Sequence, residues 1–203
     1  MTKKLVNIYN KIALEYFIEN GINEHLAIPA LKKFSKLLPL KSQILDVGCG
    51  GGQDANFLVE QGHKVLGIDL SKEMIKIARH FYPNIPFKTL DIMKLPTTKK
   101  FNGIWCCRVF QHIAIKDQDK FLDKINSLLK RGGILYLTSA LSHENHDFEK
   151  NDLNLVESQT TGSLLKKRLT AKSFKSLIES HGLKIIKFQH WKNKTGMDVL
   201  AQK

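Results

Sequence analysis

The amino-acid sequence, 203 residues long, predicts a single α/β domain built around a mostly parallel sheet. From residue 41 onward, short apolar strands alternate with helices, which is the pattern of β-α-β units. A glycine run, Gly48–Gly52, directly follows the first strand, and the acids Asp69 and Asp91 follow the second and third. Because the carboxyl ends of parallel strands meet at one rim of a sheet, we expect these residues to form a ligand site there.

Residues 1–40 precede the sheet and are predicted to form two helices. Apolar side chains in the first helix recur at helical spacing, at Leu5, Ile8 and Ile12. The pair Asn20-Gly21 separates the two helices, and Pro39 ends the second. Residues 1–40 are therefore expected to form amino-terminal cap helices ahead of the sheet.

Residues 41–140 contain the main alternation of strands and helices. Strands are predicted at 43–47, 64–68, 87–90, 103–107 and 134–138. Helices are predicted between them at 54–61, 72–81 and 117–129. Gly62 ends the first of these helices, and Ser71 caps the second. A helix between successive strands makes the strands parallel.

The remainder of the chain is predicted to close the sheet. Residues 141–168 are polar and irregular, as expected for a long surface or substrate loop. Residues 169–203 hold one helix, 171–180, and two strands, 183–188 and 197–201. The short polar link between those strands predicts an antiparallel hairpin. The sheet should therefore have seven strands.

The composition describes a globular protein with a large excess of basic charge. The formal net charge is +13, but only four of the 32 basic residues are Arg, the residue that best recognises phosphate groups. We interpret the charge mainly as a compositional bias, with RNA binding through Lys166, Lys167, Arg168 and Lys172 as an alternative.

Three further patterns bear on location and on metals. The apolar runs are shorter than the roughly 20 residues of a membrane span, and the amino terminus lacks the apolar segment of a secretory signal. A cytoplasmic protein, monomeric or homodimeric, is therefore expected. The cysteines form no CxxC pair, so a structural zinc is not expected. His143 and His146, with neighbouring acids, are interpreted as part of a polar loop, and no metal site is predicted.

The glycine run indicates which ligand the rim takes. Glycines let the backbone approach a ligand where a Cβ atom would clash. A dinucleotide fingerprint beginning at Gly48 requires glycine at position 53, where this chain has Gln53. Asp46, two residues before the first glycine, would also lie badly beside a pyrophosphate, whereas it suits a ligand with an amino group and a sulfonium. A nicotinamide oxidoreductase is therefore disfavoured.

The segment from Asp46 to Gly52 resembles motif I of class I methyltransferases, D/E-x-G-x-G-x-G, matched by Asp46, Gly48, Gly50 and Gly52. The following motifs resemble that family in the same order along nearly the whole chain. Leu129–Gly133 is similar to its L-K-P-G-G turn, with Arg131 in place of proline. The resemblance implies a three-layer Rossmann-like methyltransferase fold and S-adenosylmethionine as cofactor.

The resemblance also implies roles for residues in the cofactor half. Asp46 and the backbone of Gly48, Gly50 and Gly52 would hold the methionine portion of the cofactor. Asp69 would bind both ribose hydroxyls, and Asp91 the adenine amino group. The remaining residues implied to surround the adenine ring are Leu70, Met74 and Ile92.

The acceptor half is expected beyond the fourth strand, beside the glycine run. His112 resembles the histidine that ends this segment in many small-molecule methyltransferases. It is the candidate base or orienting group, because imidazole titrates near neutral pH. Arg108 is a candidate for binding an acidic substrate group. Tyr9 and Tyr16, in a lead that resembles Y-D-x-x-A-x-x-Y, would belong to a cap over cofactor and acceptor.

These residues predict a methyltransferase that acts on an oxygen, nitrogen or sulfur atom of a small molecule. Three alternatives remain open for His112, Arg108 and the tyrosines: a structural histidine, a local ion pair and ordinary core packing. Two alternatives remain for the whole protein, namely an RNA methyltransferase that uses the basic surface and a catalytically silent cofactor-binding regulator.

Overall fold

The computed structural model describes residues 3–21, 27–140, 169–191 and 196–203. Within these ranges, seven strands form one sheet in the order β3-β2-β1-β4-β5-β7-β6. In chain order the strands are β1 (Gln43–Val47), β2 (Lys64–Asp69), β3 (Phe87–Thr89), β4 (Phe101–Cys106), β5 (Leu129–Ala140), β6 (Lys184–His190) and β7 (Gly196–Gln202). Strands β1 to β5 are parallel, and β7 runs antiparallel to both β5 and β6. The predicted mixed sheet is confirmed.

Helices cover both faces of this sheet. They are α1 (Lys3–Gly21), α2 (Ile28–Lys36), α3 (Gln53–Glu60), α4 (Lys72–Phe81), α5 (Ile115–Leu128) and α6 (Ala171–Ser180). One buried core cluster joins the sheet to α2, α3 and α4, with Phe34 and Trp105 fully buried at its centre. The other joins the opposite face to α5 and α6, around Phe110 and Phe174. The fold therefore has the three layers expected of a Rossmann-like domain.

Strand β5 is longer than the predicted 134–138. It pairs with β7 along seven consecutive residues, Ile134 to Ala140, and with β4 on its other side. Its first residues reach Leu129, opposite Phe101, across an irregularity in the β4 register. Pairing with neighbouring strands on both sides extends β5 beyond its apolar segment, and the sequence pattern of one strand does not reveal its neighbours.

A buried aromatic stack attaches the amino end of α3 to the sheet. The rings of Trp105 and Tyr136 are stacked with centroids 3.9 Å apart and planes 8° apart. The Trp105 Nε1 donates a hydrogen bond of 2.6 Å to Asp54 Oδ2, and the Tyr136 hydroxyl donates one of 3.0 Å to Asp198. Asp54 lies in the first turn of α3, so this contact fixes where the glycine run ends.

Several sequence predictions fall outside the described ranges. They are the irregular loop 141–168, with His143, His146 and Lys166–Arg168, and most of the link before β7. Among the described helices, none has both the length and the apolar character needed to cross a membrane. The adjacent cysteines Cys106 and Cys107 pack against the core clusters on opposite faces of the sheet.

Candidate active site

The glycine run turns sharply over the end of β1. Gly48 has a φ of +69°, in the left-handed region that favours glycine, and a Cβ atom on it would lie 2.2 Å from Val109 Cγ2. The N–H groups of Gly48 and Cys49 both donate to the carbonyl of Ile68, at 2.8 and 3.1 Å. These two bonds hold the start of the run against β2, and the absent side chain lets the segment after β4 pack against it.

The run ends at Gly52, which precedes α3. Its φ is +90°, and a Cβ atom there would lie 2.7 Å from Phe87 Cζ. Gly51 is closely covered as well, because a Cβ atom on it would lie 2.2 Å from the ring of Phe17 in α1. The backbone of the run is therefore packed between β3 and α1, with the amino end of α3 directed toward the rim.

Asp69 is fixed by backbone groups on both of its carboxylate oxygens. Gly50 N–H donates to Oδ2 at 3.1 Å, and Ser71 N–H donates to Oδ1 at 2.7 Å. Burial raises the pKa of Asp69, and these backbone hydrogen bonds oppose that rise. The carboxylate is thus held in one orientation between the glycine run and α4.

A cavity of about 200 Å³ opens beside Asp69, between the ends of β1 and β2 and the start of α5. Among the predicted residues, its lining includes Gly48, Asp69, Leu70, Asp91 and Ile92. Residues that sequence reasoning missed also line it, including Leu90, Met93, Val109, Ile113, Asp117 and Lys120. Its walls are mostly apolar, and they include Asp69 and Asp91.

Met74, which was predicted to flank the adenine ring, lies in the hydrophobic core instead. It is 2% exposed in the first turn of α4, where its N–H donates a hydrogen bond of 3.2 Å to the Ser71 hydroxyl, and it does not line the cavity. Asp91 caps the short 3-10 turn Ile92–Lys94 by accepting a bond from Met93 N–H at 2.9 Å. Met93, 46% exposed, is the sulfur side chain that borders the cavity.

Asp46 provides the test of whether the rim fits a cation. Its side chain is 2% exposed, and its Oδ2 has no hydrogen-bond partner among the described residues. Burial, followed by the charges of Asp54 and Asp69, raises its pKa well above the ordinary value. A buried carboxylate without a partner is costly. A ligand that carries an ammonium and a sulfonium matches this cluster of acids.

Two tyrosines of α1 face the segment that follows β4. The Tyr9 hydroxyl lies 3.2 Å from His112 Nε2, and the two rings meet edge to face. Tyr16 lies edge to face with Tyr9, with ring centroids 5.6 Å apart. The structure therefore brings together Tyr9, Tyr16 and His112, three residues that the sequence placed in the acceptor half.

Arg108 is held in an uncommon backbone conformation at the end of β4. Its φ is +58°, and its N–H donates a bond of 2.6 Å to the hydroxyl of Thr138 on β5. Burial lowers the pKa of Arg108, but neighbouring Tyr16, Cys107 and Asp54 outweigh it, and the pKa lies above its ordinary value. The guanidinium is therefore a permanent cation hydrogen-bonded to the Tyr16 hydroxyl.

Asp54, Val109 and Thr138 also shape the site, and the sequence did not single them out. Asp54 lies two positions beyond the glycine motif, and only its acidic character in the first turn of a helix signals a role. Val109 and Thr138 carry no such signal, because their contacts with Gly48 and Arg108 are set by the fold. In the described part of the chain, no cluster of three potential metal ligands is present.

Comparisons with known proteins identify the kind of domain that the chain carries. A family model described as a methyltransferase domain matches residues 44–133, which span the glycine run, both acids and His112. A ubiquinone biosynthesis O-methyltransferase of Pelagibacter ubique (strain HTCC1062) is 33% identical over 141 residues, covering 67% of this chain and 55% of the relative. The chain spans about half the length of the curated relatives it matches, between 44% and 62% of the first four.

Solved structures share the fold over nearly the whole chain. A TehB-like SAM-dependent methyltransferase from Corynebacterium glutamicum superimposes with a TM-score of 0.69 at 18% identity, and the match covers 100% of both chains. The 1,6-didemethyltoxoflavin-N1-methyltransferase of Burkholderia thailandensis, solved with S-adenosylhomocysteine, has a TM-score of 0.70 at 17% identity, with 98% and 89% covered. At these identities the likeness concerns the fold.

Fold and site together define a class I, Rossmann-like methyltransferase domain. The chain carries this domain at residues 44–133, within a seven-stranded sheet that has the antiparallel hairpin predicted from the sequence. The cofactor of the domain is S-adenosylmethionine, which supplies an electrophilic methyl group when it is bound.

Proposed function

We propose that the chain is an enzyme that transfers a methyl group from S-adenosylmethionine to an oxygen, nitrogen or sulfur atom of a small molecule. The observation that carries this proposal is the pairing of His112 with Tyr9 at the rim where β4 ends, next to the glycine run. Methyl transfer needs alignment, exclusion of water and, for a protic acceptor, a group that takes the proton.

In this proposal the cofactor half acts through the predicted residues. Asp69, whose two oxygens are oriented by Gly50 and Ser71, accepts hydrogen bonds from the ribose hydroxyls. The adenine ring occupies the apolar cavity near Asp91 and Ile92. Asp46 lies within the buried acidic cluster and balances the positive charges of the methionine portion.

The acceptor half acts through His112 and the tyrosines of α1. His112 Nε2 shares a hydrogen bond with Tyr9, which orients the imidazole so that it can accept a proton from the acceptor. Tyr16 and Arg108 form a second donor pair, which would orient a polar or acidic group of the acceptor. The backbone bond from Arg108 to Thr138 holds that pair at the carboxyl end of the sheet.

Similar proteins support a small acceptor without defining the attacked atom. The Pelagibacter ubique relative is named as a ubiquinone biosynthesis O-methyltransferase, and the Burkholderia thailandensis structure as a 1,6-didemethyltoxoflavin-N1-methyltransferase. We propose a cytoplasmic protein, monomeric or homodimeric, in line with the sequence prediction.

The acceptor class can be tested by following radiolabelled methyl from S-adenosylmethionine into a cell extract separated into small molecules, RNA and protein. We expect label in the small-molecule fraction, and we expect His112→Ala to reduce it by about 10²–10⁴-fold, the usual contribution of general acid–base catalysis. Label that ribonuclease removes would favour the RNA alternative. Cofactor binding without any label would favour a silent regulator.

The cofactor site can be tested separately by calorimetry with S-adenosylhomocysteine. We expect Asp69→Ala to abolish most of the affinity, because both ribose contacts and the two backbone bonds to the carboxylate are lost. A matched control is Glu179→Gln, which removes a negative charge from the exposed face of α6. Unchanged affinity in the Asp69 variant would reject the cofactor assignment.

A further inference from the structure

Asn10, the residue after Tyr9, joins α1 to the amino end of α4. Its Oδ1 accepts a hydrogen bond of 2.8 Å from the Ser71 hydroxyl and one of 3.3 Å from Glu73 N–H. Since a backbone N–H can only donate, the oxygen of the amide must face α4. Asn10 thus satisfies one of the unpaired N–H groups in the first turn of that helix.

Ser71 carries this contact onward to the cofactor site. It is 1% exposed, and its hydroxyl also accepts a bond from Met74 N–H as the cap of α4. The N–H of the same residue donates to Asp69 Oδ1 at 2.7 Å, and Asp69 Oδ2 in turn accepts from Gly50. A continuous chain of hydrogen bonds therefore runs from α1 through Ser71 to the acid proposed to bind the ribose.

The same turn of α1 contacts the acceptor half. Consecutive residues of an α-helix point about 100° apart, so Tyr9 reaches His112 while Asn10 reaches Ser71. One turn of helix, with two adjacent side chains, thus contacts both halves of the site. The ring of Phe17, two turns later, lies on the glycine run and on Phe81 of α4.

We propose that Asn10 is a positioning residue that couples the two halves of the site. It fixes Ser71, and through it the orientation of Asp69, to the helix that also orients His112. This inference rests on the proposed function. Because coupling between two sites is reciprocal, cofactor binding stabilises the α1 contact with His112, and that contact strengthens cofactor binding.

The coupling can be measured without knowing the acceptor, with S-adenosylhomocysteine as probe. Asn10→Ala removes the oxygen that Ser71 and Glu73 donate to, whereas Asn10→Asp keeps it and adds a negative charge at the amino end of α4, which the helix dipole favours. Asn7→Ala is a matched control, because it truncates an exposed asparagine of the same helix. The readouts are calorimetric affinity and hydrogen exchange of the α1 amides with and without the probe.

We expect Asn10→Ala to weaken binding about tenfold, a coupling within the usual range. We also expect it to abolish the protection of α1 that the probe gives in the wild type. Asn10→Asp and Asn7→Ala should both show wild-type affinity and wild-type protection of α1. Phe17 still packs on Gly51, so the Ala variant should keep its fold, which thermal unfolding without the probe would establish.

The outcomes separate this inference from the proposed function. If the wild type binds S-adenosylhomocysteine and Asn10→Ala binds it equally tightly, with equal protection of α1, the coupling is overturned. The proposed function is unaffected by that result. The coupling is also overturned if Asn10→Asp shows the same loss of affinity and α1 protection as Asn10→Ala. The loss would then not be caused by removal of the side-chain oxygen. A wild-type chain that does not bind S-adenosylhomocysteine would overturn both.

Discussion

Asp46→Asn is expected to stabilise the cofactor-free protein and to weaken cofactor binding. The carboxylate is 2% exposed, its Oδ2 has no partner among the described residues, and Asp54 and Asp69 repel its charge. An amide of nearly the same size removes the charge, and its NH₂ group can donate to a neighbouring carboxylate. The substitution thus removes a buried, unpartnered negative charge from the cofactor-free site. In the wild type, the positively charged cofactor would balance that charge.

The magnitude follows from the cost of a buried polar atom without a partner, about 1–3 kcal/mol. For a chain of this size, 1 kcal/mol corresponds to about 2–4 °C in Tm, so we expect Asp46→Asn to raise the Tm of the cofactor-free protein by about 2–12 °C. Loss of a hydrogen bond to a charged group costs about 1.5–3 kcal/mol, which weakens S-adenosylhomocysteine binding by about 10–150-fold.

Thermal unfolding with and without saturating S-adenosylhomocysteine, together with calorimetry, measures both effects. The control is again Glu179→Gln, since it removes one negative charge from an exposed position and so separates net charge from burial. We expect the control to match the wild type within experimental error. An Asp46→Asn protein with a lower Tm than the wild type, or with undiminished affinity, would refute the reasoning.

The raised pKa of Asp46 should also make the stability of the cofactor-free protein depend on pH. Burial raises the pKa of Asp46 well above its ordinary value of 3.8, so the folded chain holds a proton at pH values where the unfolded chain has lost it. The cofactor-free wild type should therefore gain stability as the pH falls through the folded pKa toward 3.8. The Asn variant should show a smaller gain, because Asp69 and Asp198, whose pKa values are also raised, still contribute.

Two further predictions concern stability measured by urea unfolding. Burial lowers the pKa of His63, whose Nε2 lies 2.9 Å from Ser35 Oγ, so its contribution to stability is lost as the pH falls below 6.5. His63→Gln should reduce the difference in stability between pH 7.5 and pH 5.5, and an unchanged difference would contradict this. Gly48→Ala should destabilise through its φ of +69° and the 2.2 Å approach to Val109, the backbone term alone costing about 1–2 kcal/mol. Adding Val109→Ala should recover at least about 1 kcal/mol relative to the additive sum, whereas strict additivity would show that the two residues do not touch.

The cofactor half was predictable because its signals are local and repeated. The first strand was predicted at 43–47 and α4 at 72–81, and both bounds agree with the structure. Each parallel strand presents its last residue to the same rim, so Asp69 and Asp91 could be placed together from their positions after strands alone. Met74 lies in the core because its position on α4 faces inward. Met93, in the 3-10 turn Ile92–Lys94, borders the cavity instead.

The acceptor half was only partly predictable, since its contacts join residues far apart in the chain. His112 and Tyr9, 103 positions apart, were named as candidates, but nothing in the sequence indicated that they hydrogen-bond to each other. The left-handed backbone of Arg108 has no sequence signature, and its partner Thr138 lies 30 residues away on β5. Such pairings exist only after the sheet has brought β4, β5 and α1 together.

The cofactor could be inferred from the sequence, whereas the acceptor could not, because different parts of the chain bind them. A cofactor common to a whole family requires the same rim of glycines and acids, and this rim depends on backbone geometry that strand ends and glycines report. The acceptor meets side chains instead, from α1 and from the segment after β4, and their orientation depends on long-range contacts such as Asn10 with Ser71. Substitutions that leave every glycine and acid in place can therefore change the acceptor, which is why fold kinship does not determine it.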